Sequence, residues 1–541
     1  MIKRILAVAV LLVAGLAIAS EITVIDSETG KKYRITLPAQ VEGTVTEVTE
    51  TDPEPPPPPP PEEGIPQPDS FGNIVLRKSG VYELDRDLTN RVFIANKNIE
   101  LRLNGHSITA NNEGVKNYAA WRDGDIYGKR PTPDNTVIRG PGRIESMTTD
   151  AVNLYVGKGL AIDGATLVCH GVDASCVRTS SSLVIRNCLC LSYVTKTNNR
   201  HQMPSVVRCE WGSTDMQKCA IIGGQVGVLA RTGSVVSDNF ISVDSIATNG
   251  YGVAIYRVDN VLVENNLIVA NNGRGVLING GTGKDTDRGN LVRDNVIFAR
   301  EKPNAEFGGA LNANCIRVRY DAMNNQVSSN VCLAVGGPPY TGGTGLYLSN
   351  DVGFSSTFID NTFQAVLDGE LLIGRHYGKA ITLESQGNWN KETGEPRYNL
   401  DVINDNILRS NHINLSLAGI DGYNIGAHMS NPLTDNTFQI EDGGIILADF
   451  AATATSKLES LGLAYPEASE RLEGILASFA NYDEVSIRQY PYDVWTESAW
   501  RGSANISIKG SGPEVKPYTE DGVNVRRSVF PGAPLNITIE P

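Results

Sequence analysis

Apolar residues alternate with polar ones in short runs that recur along most of the chain. The stretch 259–268, DNVLVENNLI, holds one such run, followed by Asn266 and a second apolar start. Further copies of this frame lie at 235–241, 290–297, 327–331 and 358–363. An apolar period of two, with many β-branched residues, predicts strands rather than helices. The pattern therefore predicts a chain built from repeated short strands.

The repeats are a few tens of residues long. The asparagines that mark five of them are 27, 29, 35 and 31 residues apart: Asn239, Asn266, Asn295, Asn330 and Asn361. A unit of this size cannot bury its own apolar face. We therefore expect the units to stack and share one continuous core.

This frame resembles the coil of the right-handed parallel β-helix superfamily, the pectate-lyase-like folds, over residues 75–449. The resemblance implies an all-β right-handed parallel β-helix solenoid. It also implies that asparagines at the bends lie inside, where a buried amide is tolerated only when its groups are hydrogen-bonded. We therefore expect structural roles for Asn187, Asn239, Asn266, Asn295, Asn330, Asn361, Asn406 and Asn436.

The N-terminal region divides into three predicted segments. Residues 1–19 combine a basic start with an apolar run that ends in A-I-A, the pattern of a cleaved secretory signal. Residues 20–40 predict a small β-hairpin. Residues 41–70 hold seven consecutive prolines, eight acids and no base, and predict an extended, acidic linker. These features favour a secreted, periplasmic or extracellular protein that does not span a membrane.

The solenoid is predicted over 71–450, followed by a helical C-terminal cap over 451–484 and a β-rich segment over 485–541. Ser456 and Glu459 form a capping-box pattern, which predicts the start of a helix. Pro466 suits the first turn of a second helix. An apolar face of Leu472 and Ile475 would bury that helix.

Charge and cysteine content limit the classes of partner. The formal net charge of −14 disfavours nucleic acid as a partner. Eight cysteines lie within the repeats, and an oxidising compartment would permit disulfides. Cys188 and Cys219 align one coil apart, so a disulfide and a stacked pair of free thiols both remain open. No C-x-x-C pair occurs, and no metal site is predicted.

Arginine recurs at a fixed place before several bends. A residue eight to eleven positions before the corner is Arg178, Arg231, Arg257 or Arg319 in four of the copies. If the registers hold, these side chains share one outer edge, where guanidinium groups suit carboxylates or sulfates. Solvated arginines on an outer edge are the alternative. Candidate substrate-binding residues are Arg178, Arg231, Tyr256, Arg257, Trp121 and Tyr127, the last two in a long loop.

Two groups of residues are candidates for catalysis. Members of the resembled superfamily that cleave or epimerise uronic-acid polymers neutralise a carboxylate and place a base near the α-proton. Residues of these types lie close together at Arg317, Arg319, Tyr320 and Asp321, and again at His376, Tyr377 and Lys379. No cofactor is identified, and Ca²⁺ is the ion that the resemblance leaves open.

Several family motifs are absent. The chain has no D-D or G-H-G of polygalacturonases and no D-P-H-D of mannuronan epimerases. No family's catalytic residues can therefore be carried over. Two hypotheses remain: a secreted lyase or epimerase on acidic polysaccharide, and a non-catalytic, adhesin-like solenoid that binds glycan or spaces other modules. Fold alone does not decide between them.

Overall fold

The computed structural model describes residues 62–117, 133–156, 158–194, 204–244, 250–280, 289–300, 313–319, 322–336, 344–349, 356–367 and 443–481. For further strands it describes the backbone alone: Glu21–Ile25, Lys32–Thr36, Thr44–Glu47, Lys379–Glu384, Ile407–Arg409, His412–Leu415, Asn431–Ile440, Asp493–Val494, Trp500–Lys509, Asn524–Val525 and Leu535–Glu540. The predicted signal segment lies outside these residues.

Residues 1–60 and 61–541 form two compact units. In the first, Glu21–Ile25 pairs antiparallel with Lys32–Thr36, so the predicted hairpin is confirmed. A third strand, Thr44–Glu47, extends it. In the second unit, Glu62–Gly64 pairs in parallel with Gly80–Glu83. The predicted linker 41–70 therefore contains two short strands, and its last residues belong to the solenoid.

The second unit is a right-handed parallel β-helix, as the repeats predict. Each coil from Val92–Ile94 to His412–Leu415 contributes one strand to each of three parallel sheets, which we name front, side and back. The front sheet consists of Ile74–Leu76, Val92–Ile94, Val115–Asn117, Val152–Leu154, Val177–Thr179, Ser205–Cys209, Val226–Ala230, Tyr251–Tyr256, Arg274–Asn279, Asn314–Arg319, Thr344–Ser349 and Lys379–Glu384.

The other two sheets follow in each coil. The side sheet consists of Gly80–Glu83, Ile99–Arg102, Thr136–Arg139, Leu160–Asp163, Leu183–Arg186, Thr214–Gln217, Val235–Ser237, Leu262–Glu264, Leu291–Arg293, Gln326–Ser328, Thr357–Ile359 and Ile407–Arg409. The back sheet consists of Ser107–Ala110, Arg143–Ser146, Thr166–Cys169, Leu189–Ser192, Ala220–Gly223, Phe240–Asp244, Leu267–Asn271, Val296–Arg300, Val331–Gly336, Thr362–Leu367 and His412–Leu415.

From Leu160–Asp163 to Thr357–Ile359, a two-residue bend joins each side strand to its back strand. The first residue is left-handed, as at Asn265 with φ 56°, and Asn and Asp tolerate this conformation. The second residue points inward: Asn266 is fully buried, and its Nδ2 donates to Val236 O at 2.9 Å and Asn295 Oδ1 at 2.9 Å. Asn239, Asn295, Asn330 and Asn361 continue this ladder. The predicted internal asparagines are confirmed at these five positions.

Asn187 does not belong to the ladder, so the prediction that it lies inside the coil is wrong. It is the exposed left-handed residue of its bend, with φ 48°, and its Nδ2 donates to Asp163 Oδ1. The inward positions of this coil and the next are Cys188 and Cys219, both buried. All eight cysteines are buried and free. Asn406 lies outside the described residues, and of Asn436 only the backbone is described.

A glycine ladder brings the front and back sheets close together. Gly252 and Val253 both face the core because the front strand bends between them. A Cβ at Gly252 would lie 2.4 Å from Ile268 Cγ2 and 2.9 Å from Gly275 O. Gly227 and Gly275 repeat this contact with Ile241 and Ile297. The close approach therefore excludes any side chain at these positions.

Gly252→Ala should destabilise the protein by about 1–3 kcal/mol, because the added methyl group overpacks the core. The matched control is Gly474, which lies exposed in a helix, where an added Cβ would have no atom within 4 Å. Gly474→Ala should stabilise by about 0.5–1 kcal/mol through helix propensity. Chemical denaturation of both variants measures the difference. Equal stability of the two variants would contradict the proposed packing.

Two helices follow the repeats, as predicted: α1 (Gly443–Leu461) and α2 (Pro466–Ala477), then a 3-10 turn at Ser478–Asn481. Ser456 and Glu459 lie near the end of α1, so the prediction that they start a helix is wrong. Pro466 begins α2, and Leu472 and Ile475 are buried, as predicted. Both helices pack on the outer face of the back sheet, where Phe450 meets Phe298.

Polar contacts fix the helices along this face. Arg471 Nε donates to Ser242 Oγ at 2.9 Å, and Lys457 Nζ donates to Asp294 O at 2.9 Å. Beyond the helices, Trp500–Lys509 pairs in parallel with both Asn431–Ile440 and Leu535–Glu540. The β-rich C-terminal segment therefore continues the same parallel ladder. No described helix is both long and apolar enough to cross a bilayer.

Candidate functional site

The outward face of the front sheet carries most of the predicted site residues that can be placed. Strand register stacks its outward side chains in columns along the solenoid axis. One column holds Arg178, Arg208, Leu229, Ala254, Leu277 and Arg317. The neighbouring column holds Tyr256, Asn279 and Arg319.

The strand register does not place the four arginines of the predicted common edge in one column. Arg178 belongs to the column of Arg317, next to that of Arg319. Arg257 lies one residue beyond its strand, with φ 56°, and Tyr256 takes the register position. The turns that leave the front sheet differ in length, so a count back from the bend misplaces side chains by one or two residues.

The upstream part of the face is an ion-pair network. Glu210 Oε1 accepts from Arg178 Nε at 3.0 Å and lies 2.9 Å from Arg208 Nε. Asp150 lies 4.0 Å from Arg178 and accepts from Ser175 N and Asn153 Nδ2. Burial raises the pKa of Asp150. Because the charges pair with one another, Arg178 is part of this network, and its role in substrate binding stays a prediction.

The downstream part of the face has a different composition. The outward positions of three consecutive strands hold no acidic residue: Tyr251, Ala254, Tyr256, Arg274, Leu277, Asn279, Asn314, Arg317 and Arg319. Tyr251, Ala254 and Leu277 form a buried apolar cluster with Val226 and Leu229. Positive side chains lie next to Tyr251 in this cluster. We name Tyr251, Arg274, Arg317 and Arg319 the arginine cluster.

Tyr251 is the centre of the arginine cluster. Arg274 Nη1 donates to the Tyr251 hydroxyl at 3.1 Å, and its guanidinium carbon lies 5.4 Å from the ring centroid. Tyr251, Arg274 and Arg317 are all buried, whereas Arg319 is partly exposed. Arg319 is therefore the member of the cluster that is most accessible to solvent.

The charges of the cluster change the acidity of the phenol. Burial raises the pKa of Tyr251, but the positive charges of Arg274, Arg317 and Arg319 and the hydrogen bond from Arg274 outweigh it. The pKa of Tyr251 consequently lies below the ordinary value of a tyrosine. A phenol of lowered pKa next to several guanidinium groups is suited to accept a proton beside a bound anion.

The remaining predicted residues vary in how far they can be placed. Arg231 Nε donates to Cys209 O at 3.1 Å, and the guanidinium of Arg257 lies 5.2 Å from the Tyr256 ring centroid. Lys379 begins the last front strand, and only its backbone is described. The other predicted residues lie outside the described residues: Tyr320, Asp321, His376, Tyr377, Trp121 and Tyr127.

Sequence reasoning missed Tyr251 and Arg274. Both stand immediately before the glycine of the bent front strands, in Y-G-V-A-I-Y and R-G-V-L-I-N. Alignment of the coils on Gly252 and Gly275 places the two residues side by side. Alignment of the coils on the bend asparagines does not place them side by side. A back strand and a turn of variable length separate each bend asparagine from the front strand that follows it.

Metal binding has no support in the described part of the chain. None of its residues form a group of three or more His, Cys, Asp or Glu side chains that could hold an ion. Calcium stays a prediction without an assigned site. The arginine cluster itself, being cationic, is suited to an anion rather than to a metal ion.

Comparisons with known proteins return only remote structural matches. No family model and no curated protein matches the chain. Among solved structures, a double mutant of the periplasmic alginate epimerase AlgG matches with 13% identity and a TM-score of 0.30, over 64% of this chain and 74% of that chain. A second crystal structure of the periplasmic alginate epimerase AlgG matches with 13% identity and a TM-score of 0.22, over 87% and 78%.

Proposed function

We propose that this protein is exported and acts on an acidic polysaccharide, removing the proton α to a uronic-acid carboxylate in a lyase or epimerase reaction. The observation that supports this function is the arginine cluster, in which a buried tyrosine of lowered pKa contacts a guanidinium group. The same chemistry was expected from the sequence at Arg317 and Arg319. The cluster adds Tyr251 as the proton acceptor.

Binding would begin with the carboxylate. Arg317 and Arg319 project from one strand on the outward face, and Arg274 lies in the adjacent coil. Guanidinium groups bind carboxylates through paired hydrogen bonds, and such bonds are strong where water is largely excluded. Neutralising the carboxylate also makes its α-proton more acidic, because the charge that develops on the carboxylate oxygens is stabilised.

The proton would then move to Tyr251. Its phenolate oxygen accepts the proton from the α-carbon, and the electron pair of that bond spreads onto the carboxylate held by the arginines. In epimerisation, solvent water delivers a proton to the opposite face of the carbon, and the Tyr251 phenol releases its captured proton to solvent. In cleavage, the glycosidic bond at the β-carbon breaks, a C=C bond forms, and the leaving oxygen takes the proton that Tyr251 has captured. Both outcomes share the same first step.

Deuterium exchange tests that shared step. Polygalacturonate and alginate would be incubated with the full chain in D₂O, with neutral dextran as the substrate control. Proton NMR would detect deuterium at the α-carbon, and ultraviolet absorbance would detect an unsaturated product. We expect exchange on a uronate polymer and none on dextran. Absence of exchange and of unsaturated product on every uronate polymer tried would refute the proposed function.

Arginine substitutions test the role of the cluster in the same assay. Arg317→Ser combined with Arg319→Ser should lower kcat/KM by about 10²-fold, the typical effect of removing a group that stabilises developing negative charge. Placing Lys instead of Ser at position 319 should recover only part of the lost activity. Lysine keeps the positive charge but cannot form the paired hydrogen bonds. The matched control is Arg293→Ser, an exposed arginine on the side sheet paired with Glu264. A control variant as impaired as the double variant would contradict the assignment.

A further inference from the structure

A row of aromatic and cationic residues lies along the edge where the front strands turn toward the side sheet. We name Trp211, Arg231, Tyr256 and Arg257 the rim. They lie at the ends of three consecutive front strands, Ser205–Cys209, Val226–Ala230 and Tyr251–Tyr256. Trp211 is 85% exposed, the most exposed of the large hydrophobic side chains in the described part of the chain.

The turn that carries Trp211 is held in one conformation. Gly212 follows it, and a Cβ there would lie 2.4 Å from Ser182 N, so the turn packs directly on the preceding coil. Glu210 N donates to Thr179 O at 2.8 Å on the other side. The indole is therefore displayed on a fixed backbone, although exposure of so large an apolar surface contributes little to stability.

The cationic members of the rim are positioned by neighbouring groups. Arg231 Nε donates to Cys209 O at 3.1 Å, a bond that holds the guanidinium group through its Nε and leaves its two Nη groups out of that bond. Arg257 stacks over Tyr256 at 5.2 Å. A guanidinium held by its Nε or by a ring loses little side-chain freedom when it binds a carboxylate.

We propose that the rim binds an extended anionic glycan, with Trp211 stacked on a sugar ring and Arg231 and Arg257 bound to carboxylates of following sugars. This inference rests on the proposed function and adds a binding site for the polymer outside the arginine cluster. The chemistry matches on both counts: a sugar ring offers C–H groups to an indole face, and a uronic acid adds the charge that a guanidinium group recognises.

The length of the rim sets the length of the ligand. Neighbouring coils are about 4.8 Å apart, so Trp211 and Arg257 are separated by about 10 Å along the axis. Arg319 of the arginine cluster lies two coils further, about 20 Å from Trp211. One chain that touches both the rim and the arginine cluster must therefore contain several sugars, and its affinity should rise with its length.

Binding to oligosaccharides of defined length tests the rim. Oligogalacturonates and oligomannuronates from disaccharide to hexasaccharide would be titrated calorimetrically into the full chain carrying Tyr251→Phe, which prevents turnover during the measurement. We expect the dissociation constant to fall with length. Trp211→Ala and Arg231→Ser should each raise the Kd of the hexasaccharide about tenfold. The Kd of the disaccharide should change far less. Added salt should weaken the charged contacts.

Two substitutions provide matched controls. Phe71→Ala removes another exposed aromatic side chain, 63% exposed, and Arg293→Ser removes an exposed arginine of the side sheet. Neither should change binding. Unchanged affinity and unchanged length dependence in Trp211→Ala and Arg231→Ser would overturn the rim proposal, even if the parent protein exchanges deuterium. Rim-dependent binding without any exchange in the parent would refute the proposed reaction and leave the rim proposal standing.

Discussion

Tyr251→Phe should abolish turnover on a uronate polymer while leaving binding of the polymer almost unchanged. The substitution removes only the hydroxyl group, so Arg274, Arg317 and Arg319 stay in place to hold the carboxylate. Loss of a positioned general base lowers rates by about 10²–10⁴-fold. The measurement compares kcat for deuterium exchange with Kd from calorimetry. A variant that retains the parent's kcat would show that Tyr251 is not the base.

The pH dependence of the parent should identify the same group. Tyr251 acts as a base only when deprotonated, so kcat/KM should rise with pH as its phenolate forms. Because the three arginines hold its pKa below the ordinary tyrosine value, the rise should be half complete at a lower pH than for a solvent-exposed tyrosine. Tyr251→Phe should remove this rise, and ultraviolet difference titration should lose one early-titrating phenol.

Tyr82→Phe is the control for loss of a buried phenol. Tyr82 is also almost fully buried, and its hydroxyl donates to Lys78 O at 2.9 Å, far from the arginine cluster in the chain. This variant should keep both the rate and the pH profile of the parent. If Tyr82→Phe lost activity to the same extent, the effect of Tyr251→Phe would reflect stability rather than proton transfer.

Asn266→Leu should cause a large loss of stability. Asn266 Oδ1 accepts from both the backbone N–H and the side-chain Nδ2 of Asn239, each at 3.0 Å. Leucine leaves these two buried donors without this acceptor. Each such loss costs about 1–3 kcal/mol, so the free energy of unfolding should fall by about 2–6 kcal/mol in chemical denaturation.

Asn112→Leu is the matched control for the ladder. Asn112 is exposed, and its Oδ1 accepts only a long bond of 3.4 Å from Thr148 Oγ1 among the described residues. Surface changes of this kind usually alter stability by less than about 0.5 kcal/mol. A loss of stability in Asn266→Leu no larger than that in Asn112→Leu would contradict the role assigned to the buried amides.

The sequence predicts the repeating part of the fold because its signals are local. A period of two, β-branched residues and one asparagine per bend recur in each coil, and stacking is the only way for such units to bury their apolar faces. The five internal asparagines follow from that frame. Asn187 does not, because it occupies the first, left-handed residue of its bend, and the inward position falls on the next residue, Cys188.

A second polar ladder also escaped sequence reasoning. Asn290 Nδ2 donates to Asn325 Oδ1 at 2.9 Å, and Asn325 N donates to Ser356 Oγ at 3.2 Å, at the bend between front and side sheets. The residue type changes from coil to coil, and the turns before it vary in length. No single spacing marks this ladder in the sequence, although each member is buried.

The sequence alone determined that the chain coils, that five of the bend asparagines face the core and that two helices follow the repeats. The tertiary structure alone decided that these helices cover the back sheet and that Tyr251 meets Arg274. Within a coil, the alternation of residues along a strand determines which side chains face the core, and this pattern needs only a few residues. Partners between coils are far apart in the chain, 23 residues for Tyr251 and Arg274, and depend on turn lengths that only the assembled sheets fix in register.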